Sequence, residues 1–543
     1  MKILGINGGT RAGYMDVAAA LIIDGKVVAA IEEERLNRIK MSPAMISERS
    51  VIEVLRIAGI SINDVDVIAS HGSTWGDQYV NLLKGYFNST FGYCPKIEIV
   101  HHHDAHAASA FFASGFDKAM ILTIDDSGDG ISTQSAIGEN SSIKVINRVS
   151  RPNSLGIFYS LITQFCGFRR EYDEYKLMGL SSYGNRDKYD FSWLLDCAEG
   201  KYNLNTDFVI GIAPGEPSPS RQEMFFNEKL IEKLGPKRLN GEPITEFYKD
   251  VAASAQKHLE DTLIELVTGL HGETGLRKLC LAGGVALNCV ANQKLMNLDF
   301  VDEIFIQPAA SDAGVSLGAA YLVAQKNGDI PQPTGNTYLG SEFSNEEIEE
   351  TLVLLNTSYD TIENPARYAA VKIAENKIIG WFQGRSEFGP RALGNRSILA
   401  NPQVAEMKDK INERIKFRES FRPFCPSVLE EDATVYFAGK SAVSPYMNIT
   451  YDVLANAVDL IPAVTHIDQT SRIQTVNEKQ NPLFYKLLTE LKEITNLGVV
   501  LNTSFNVKGE PIVNSPRDAI ATFYGSGLDC LVIGNYVVKK MDS

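Results

Sequence analysis

The densest chemistry in the chain lies in the run HHHDAH, where His101, His102, His103 and His106 make up four of its eight histidines. On a helix, residues four apart project from one face, about 6 Å from each other, so His102 and His106 could share a metal while His101 and His103 point elsewhere. A polar loop whose histidines cap a helix or face water is the competing reading. Two imidazoles leave a metal site incomplete. Aspartates beside glycines at strand ends are the best source of oxygen ligands: Asp125 in TIDDSGDG and Asp312 in PAASDAGVSLGAA, with Asp126 and Asp129 as competitors. A His2Asp2 set with open positions suits Fe(II), Mn(II) or Zn(II) better than calcium and leaves room for phosphate oxygens.

A second concentration is basic. In GRSEFGPRALGNRSILANP, Arg391 and Arg396 flank a turn, and INERIKFRESFRPFCPS adds Lys416, Arg418 and Arg422. Arginines beside glycine and proline sit on a stiff backbone, which suits bidentate recognition of phosphate or carboxylate. A solvated basic face or an ion-pair network is the alternative, but Phe388, Phe421 and Phe424 would partly desolvate the segment and favour an anion site. Two later segments, THIDQTSRIQTV and VVLNTSFNVKGEPIV, add polar groups without a helical period. The second is a strand running into Asn502, Thr503 and Ser504, and Asn502 can both donate and accept to a small planar group.

Elements must hold these groups in place. The first hundred residues alternate strand and helix signals: KILGI, a hairpin VAAALIID-GK-VVAAIEEE around Asp24–Gly25, the helical SERSVIEVLRIAG and the strand VDVIAS. AMILTIDDSGDG and LRKLCLAGGVALN repeat the pattern of an apolar strand entering glycines. One such loop is a tight turn; three together suggest a duplicated nucleotide-binding α/β fold. Residues 327–344, rich in Gly, Pro, Asn and Ser, mark a domain boundary. The expected layout is a first domain over 1–340, a helical connection over 341–375, and an α/β domain over 376–543 with strands KIIGWF, GVVLNT and DCLVIG.

A chain of 543 residues at roughly one domain per 150 suggests about three or four folding units. Hydrophobic content of 44% and charged content of 22% describe an ordinary globular protein. The net charge of −15 argues against long nucleic acid as a partner. Seven cysteines, odd in number and without CxxC spacing, read as buried thiols rather than a disulfide framework or a zinc knuckle. MKILGINGG lacks an h-region, and no apolar run approaches the roughly 18 residues of a membrane span, so a cytoplasmic location is expected.

Taken together, MKILGINGG, DGKVVAAIEEERLNRIK, HHHDAHAASAFF, SLGIFYSLIT, YDEYKLMGLSSYG, LAGGVALNCVANQKL, SDAGVSLGAA, WFQGRSEFGPRALGNRSI, FRPFCPSVL, THIDQTSRIQTV and LNTSFNVKGEPIV cover nearly the whole chain. In them the sequence resembles the O-carbamoyltransferase family, which includes antibiotic-tailoring enzymes and nodulation-factor carbamoyltransferases. The resemblance implies an amino-terminal duplicated actin-like (ribonuclease-H-like) ATP-binding domain and a carboxy-terminal YrdC-like domain. It also implies that carbamoyl phosphate and ATP give carbamoyl-adenylate in the second domain. The carbamoyl group then passes in the first domain to an acceptor hydroxyl, on a small natural product or sugar, beside a nucleotide-bound iron.

Carried over residue by residue, the metal ligands fall on His102, His106, Asp125 and Asp312, with His106, Asp16 and Lys40 at the transfer site. Gly284, Asn288 and Ser311 fall on nucleotide contacts of the first domain. Arg391, Lys416, Arg418, Arg422, Arg472, Asn502 and Ser504 fall on positions for carbamoyl phosphate and adenylate. The resemblance also admits a homodimer. Two departures stand out: Met15 replaces a histidine that would serve as base for the acceptor, although Asp16 is kept, and Gln469 replaces a usual glycine. Competing readings are threonylcarbamoyl-type tRNA modification, carbamoylation of a hydroxymethylated nucleobase, and a non-catalytic actin-like ATP-binding regulator.

Overall fold

The structure is a computed structural model that describes residues 1–9, 15–212, 219–220, 223–441 and 443–540. Residues 10–14 of the GTRAGYMDV motif therefore lie outside the described residues. The chain divides into two compact units: Met1–His71, Asp77–Val100 and Asp312–Ser543 form the first, and Gly72–Gly76 with His101–Ser311 form the second. This division follows packing rather than chain order, so it differs from a single cut near residue 340.

In the first unit, β1 (Lys2–Asn7), β2 (Ala18–Ile23), β3 (Lys26–Glu32), β4 (Val67–His71) and β5 (Lys96–Val100) form a sheet of order β3-β2-β1-β4-β5. The β2–β3 hairpin turns at Asp24 and Gly25, both at positive φ (50° and 78°), as a two-residue hairpin loop requires. β1 runs antiparallel to β2 and parallel to β4, which is parallel to β5.

The second unit repeats this design. β6 (Lys118–Gly128), β7 (Ile131–Glu139) and β8 (Ser142–Ser150) form an antiparallel meander; a hairpin of β9 (Leu195–Ala198) and β10 (Lys201–Leu204) stands apart; and β11 (Lys278–Ala282) and β12 (Glu303–Ile306) add in parallel on the free side of β6. The resulting order, β12-β11-β6-β7-β8, is that of the first sheet read from its other edge. The expected strands at KILGI, AMILTIDDSGDG and LRKLCLAGG are β1, β6 and β11, and each ends at a turn beside candidate site residues.

The remainder of the first unit is built on an eight-stranded mixed sheet of β13 (Tyr359–Thr361), β14 (Ile379–Phe382), β15 (Arg396–Ala400), β16 (Cys425–Leu429), β20 (Gln474–Val476), β21 (Val499–Ser504), β22 (Cys530–Ile533) and β23 (Tyr536–Lys539), ordered β13-β23-β22-β14-β15-β21-β16-β20. A small sheet of β17 (Phe437–Ala438), β18 (Thr450–Val453) and β19 (Thr470–Arg472) flanks it. Residues 341–375 are more than a helical connection. Their strand β13 pairs with β23, and the helix Pro365–Ala374 buries Ala366, Ala369, Ala370 and Ile373 against Phe484, Leu487, Leu488 and Leu491. All seven cysteines are free, and five of them are buried. Among the described residues no helix is long and apolar enough to cross a membrane.

Candidate functional site

HHHDAH opens the helix His102–Ser114. His101 is its N-cap, and its Nδ1 accepts from the His103 N–H at 3.3 Å. His103 Nε2 donates to the Ile131 carbonyl at 3.0 Å, which leaves Nδ1 to accept from the Thr123 hydroxyl at 2.7 Å. Burial, reinforced by the neighbouring His102 and His106, holds the His103 imidazole well below its usual pKa. These two histidines thus orient the helix.

His102 and His106 behave differently. Both are buried, with ring centroids 4.6 Å apart, and their Nε2 atoms lie 3.3 and 3.4 Å from Asp125 Oδ2 at the end of β6. Burial alone would raise the Asp125 pKa, but hydrogen bonds from His102 and His106 outweigh it and hold the carboxylate well below its ordinary range. Asp312 follows Ser311 at the start of the helix Ala313–Lys326, and one ligand atom from each of His102, His106, Asp125 and Asp312 lies within 4.8 Å of the others. A Cβ on Gly128 would collide with the His102 ring, so the strand can pass the imidazole only as glycine.

The competing aspartates have other tasks. Asp129 accepts from the N–H groups of Ser73, Thr74 and His102 at 2.9–3.1 Å, tying the helix start to the 72–76 segment. Asp126 lies outside the four-residue group; burial, helped by Glu171, pushes its carboxyl up to about 7. Gly284 donates its N–H to Asp125 Oδ1 at 3.2 Å, at the glycine turn after β11. Asn288 is occupied structurally: it caps the helix Cys289–Met296 through Ala291 N and exchanges both amide bonds with Gln256 at 2.9 and 3.0 Å. Ser311 is half-buried in the turn before Asp312.

Three of the basic groups, Lys40, Arg418 and Arg422, lie near Lys416. The helix Met407–Ile411 runs into a single π-helical turn, Asn412–Lys416, and Phe417 ends it in the left-handed region at φ 44°. Such strain in a bulky residue persists only where surrounding structure enforces it. The buried Lys416 amine donates to Ser504 O (2.5 Å), Ser504 Oγ (3.2 Å), Asn506 O (3.0 Å) and Asn506 Oδ1 (2.8 Å). Burial, and then Arg418, Arg422 and Lys40, hold its pKa well below that of an ordinary lysine. Lys40 feels the same basin: burial, opposed by Glu34 and reinforced by Arg422, lowers its pKa although its side chain reaches solvent. Asp16, at φ 49°, is a further charge sensed by Lys40, and its carbonyl is held by Asn7 Nδ2 at 2.9 Å.

Arg418 stacks over Phe424 at 4.2 Å and donates to Asn412 Oδ1 at 2.9 Å, while Arg472 reaches Cys425 Sγ at 3.0 Å. Asn502, buried in β21, donates to Ser427 Oγ at 2.9 Å and to the Ala392 carbonyl at 3.2 Å, beside Arg391. Arg396 is the correction in this segment. It is fully buried, its guanidinium is held by the carbonyls of Gln383, Gly384 and Ser341 and lies 3.7 Å above the Phe382 ring, and it serves the fold rather than an anion. Asn506 is the residue the sequence reading passed over. Its signal was its place two residues beyond Ser504 at the end of the same strand.

Comparison with known proteins fits this arrangement. Family descriptions match in two parts: "Carbamoyltransferase N-terminus" over residues 89–321 and "Carbamoyltransferase C-terminus" over residues 370–540. The nodulation protein NolNO of Sinorhizobium fredii is 38% identical over 559 residues, covering 97% of this chain and 79% of that protein. The chain belongs to the carbamoyltransferase family. The nodulation protein NolO of Bradyrhizobium diazoefficiens is 41% identical over 81% of this carbamoyltransferase and 79% of its own length. A 3'-hydroxymethylcephem-O-carbamoyltransferase of Amycolatopsis lactamdurans is 33% identical over 47% of this chain and 48% of its own. The amino-terminal match contains His102, His106, Asp125 and Asp312, and the carboxy-terminal match contains every candidate residue from Arg391 to Ser504.

Proposed function

We propose that this carbamoyltransferase uses ATP and carbamoyl phosphate to carbamoylate a hydroxyl of a small natural product or sugar. The observation that carries the reading is the basin: Arg418, Arg422 and Lys40 lie close enough to the Lys416 amine to add to the effect of burial in lowering its proton affinity, an arrangement that favours a bound polyanion. In the first stage, carbamoyl phosphate is hydrolysed to carbamate and phosphate. A carbamate oxygen then bonds to the α-phosphorus of ATP, and the bond to the β-phosphate breaks with loss of pyrophosphate. The basin cations offset the charge that builds on these phosphates, each well-placed donor contributing about 3–4 kcal/mol. We place this stage in a YrdC-like carboxy-terminal domain.

In the second stage the acceptor oxygen bonds to the carbamoyl carbon, AMP leaves, and the hydroxyl proton passes to a base other than Met15. We assign this stage to an actin-like pair of sheets and to a centre of His102, His106, Asp125 and Asp312. Two buried imidazoles and two half-buried carboxylates, and the glycine that lets β6 pass His102, fit Fe(II), Mn(II) or Zn(II). Such an ion would supply charge neutralisation for nucleotide phosphate. His103, Thr123 and Asp129 keep the two imidazoles in place by fixing the helix that bears them.

The name of the 3'-hydroxymethylcephem-O-carbamoyltransferase supports a small-molecule acceptor. The net charge of −15 weighs against tRNA or DNA. The test is pyrophosphate release. It should require ATP and carbamoyl phosphate together, and mass spectrometry of an acceptor panel should find one added carbamoyl group. Pyrophosphate release that ignores carbamoyl phosphate would overturn the reading.

A further inference from the structure

The segment Glu32–Arg38 begins on the last residue of β3, outside both family matches, yet the buried Glu32 and Arg35 side chains reach the loop that carries Arg391. Glu32 and Arg35 are 5% and 2% exposed. Together they grip one residue through the peptide units on both sides of it: Glu32 Oε1 accepts from the Gly389 N–H at 2.7 Å, and Arg35 Nη2 donates to the Gly389 carbonyl at 2.8 Å. Arg35 also pairs with Glu32 at 3.3 Å and with Glu34. Gly389 has φ 119°, which a side chain would strain, so the gripped residue keeps a conformation that glycine alone adopts readily.

What this grip controls is Arg391. Pro390 fixes its own φ between Gly389 and Arg391. On the far side, the Ala392 carbonyl accepts from Asn502, and Glu387 Oε1 accepts from the N–H groups of Leu393 (2.7 Å), Asn395 (2.9 Å) and Arg396 (3.2 Å). The backbone carrying Arg391 is therefore pinned at both ends, once by its own domain and once by Glu32 and Arg35. Arg38 holds a second loop in the same way. It donates to Ile512 O (2.6 Å) and Pro511 O (2.9 Å), next to the turn in which Asn506 Nδ2 binds Glu510 O at 2.6 Å.

We infer that Glu32 and Arg35 are positioning residues for anion activation: they aim Arg391 at the substrate of the basin, so a step assigned to the carboxy-terminal domain depends on side chains from the amino-terminal sheet. This inference rests on the reading of the basin as the carbamoyl phosphate and ATP site. It differs from a purely structural role in one respect. If Arg35 acts through Arg391, its removal matters only while Arg391 is present.

The experiment is a double-mutant cycle on the full-length chain. Pyrophosphate release is measured at varied carbamoyl phosphate for wild type, Arg35→Ala, Arg391→Ala and the pair, with Arg35→Lys and Glu32→Gln as milder variants in case Arg35→Ala fails to fold. Misaiming a substrate-positioning group costs about 100-fold in kcat/KM. Arg35→Ala should lose about that much, and the pair should be no worse than Arg391→Ala alone, within about twofold. Losses that multiply, or an Arg35→Ala enzyme within about twofold of wild type, would overturn the inference.

A calorimetric titration of the same four proteins with inorganic phosphate separates this from the functional reading. If wild type releases no carbamoyl-phosphate-dependent pyrophosphate, the function is wrong. Phosphate affinity that falls with Arg35→Ala only in the presence of Arg391 would still uphold the positioning role, and its absence would reject that too.

Discussion

Around Asp125, two buried imidazoles face a carboxylate, and their hydrogen bonds hold that carboxylate ionised despite burial. Around Lys416, cations face cations, and the amine touches only hydroxyl, amide and carbonyl oxygens. The first cluster sets imidazole nitrogens against carboxylate oxygens, whereas the second gathers cations around an amine. A mixed nitrogen and oxygen cluster can take a cation, while a basic one lowers its own energy by taking an anion. Under the proposed function the two regions would take opposite charges of one reaction, a metal ion in the first and the phosphates of the activation step in the second.

The contrast breaks most visibly in the basin. Lys416→Ala should reduce carbamoyl-phosphate-dependent pyrophosphate release by about 1,000-fold, and Arg422→Ala by somewhat less, because each removes a donor to developing charge. Iron or zinc content should be unchanged in both variants. In the pocket the reverse is expected: His102→Ala should lower metal affinity at least tenfold, to judge by the roughly 10- to 100-fold lost when even an outer partner is removed, as read by elemental analysis after gel filtration. A basin variant that loses metal, or a pocket variant that keeps it, would erase the distinction.

A smaller effect sharpens the picture at the basin's edge. Burial, reinforced by Arg472, lowers the His466 pKa from 6.5 to about 4. The folded state therefore binds fewer protons than the unfolded state between those values, and stability should fall as pH drops from about 6.5 towards 4. The loss amounts to at most roughly 3 kcal/mol. His466→Gln should remove that part of the pH dependence in thermal melts. Nearby Gln469 sits at φ 59°, the left-handed region, which accounts for the glycine usual at this turn. Gln469→Gly should stabilise the chain by about 0.5–1 kcal/mol, visible as a higher Tm.

How much of this was legible in the sequence depended on how local the cause was. The pairing of His102 with His106 follows from helical spacing, and Asp125 from a strand that enters a glycine turn; Asp312, expected at a strand end, instead starts the helix Ala313–Lys326, beyond the end of β12. The sheets were legible as strands, and their duplication as three similar turns. Arg396 was not legible as a core residue, because the carbonyls that hold it come from residues 341, 383 and 384. Asn288 reads as a ligand contact until Gln256, thirty-two positions away, takes its amide. Asn506 becomes meaningful only when the Lys416 amine arrives from another element. Strand β13 exists because β23 pairs with it, and three residues carry no pattern of their own. The grip of Glu32 and Arg35 on Gly389 spans more than 350 positions.

The claim that two chemically distinct sites divide the reaction is tested most directly with His106→Ala. Pyrophosphate release from ATP and carbamoyl phosphate should persist near the wild-type rate in this variant, while carbamoylation of an acceptor, read by mass spectrometry, falls at least about 100-fold. Equal loss of both activities, with the thermal melt unchanged, would contradict the division into two sites.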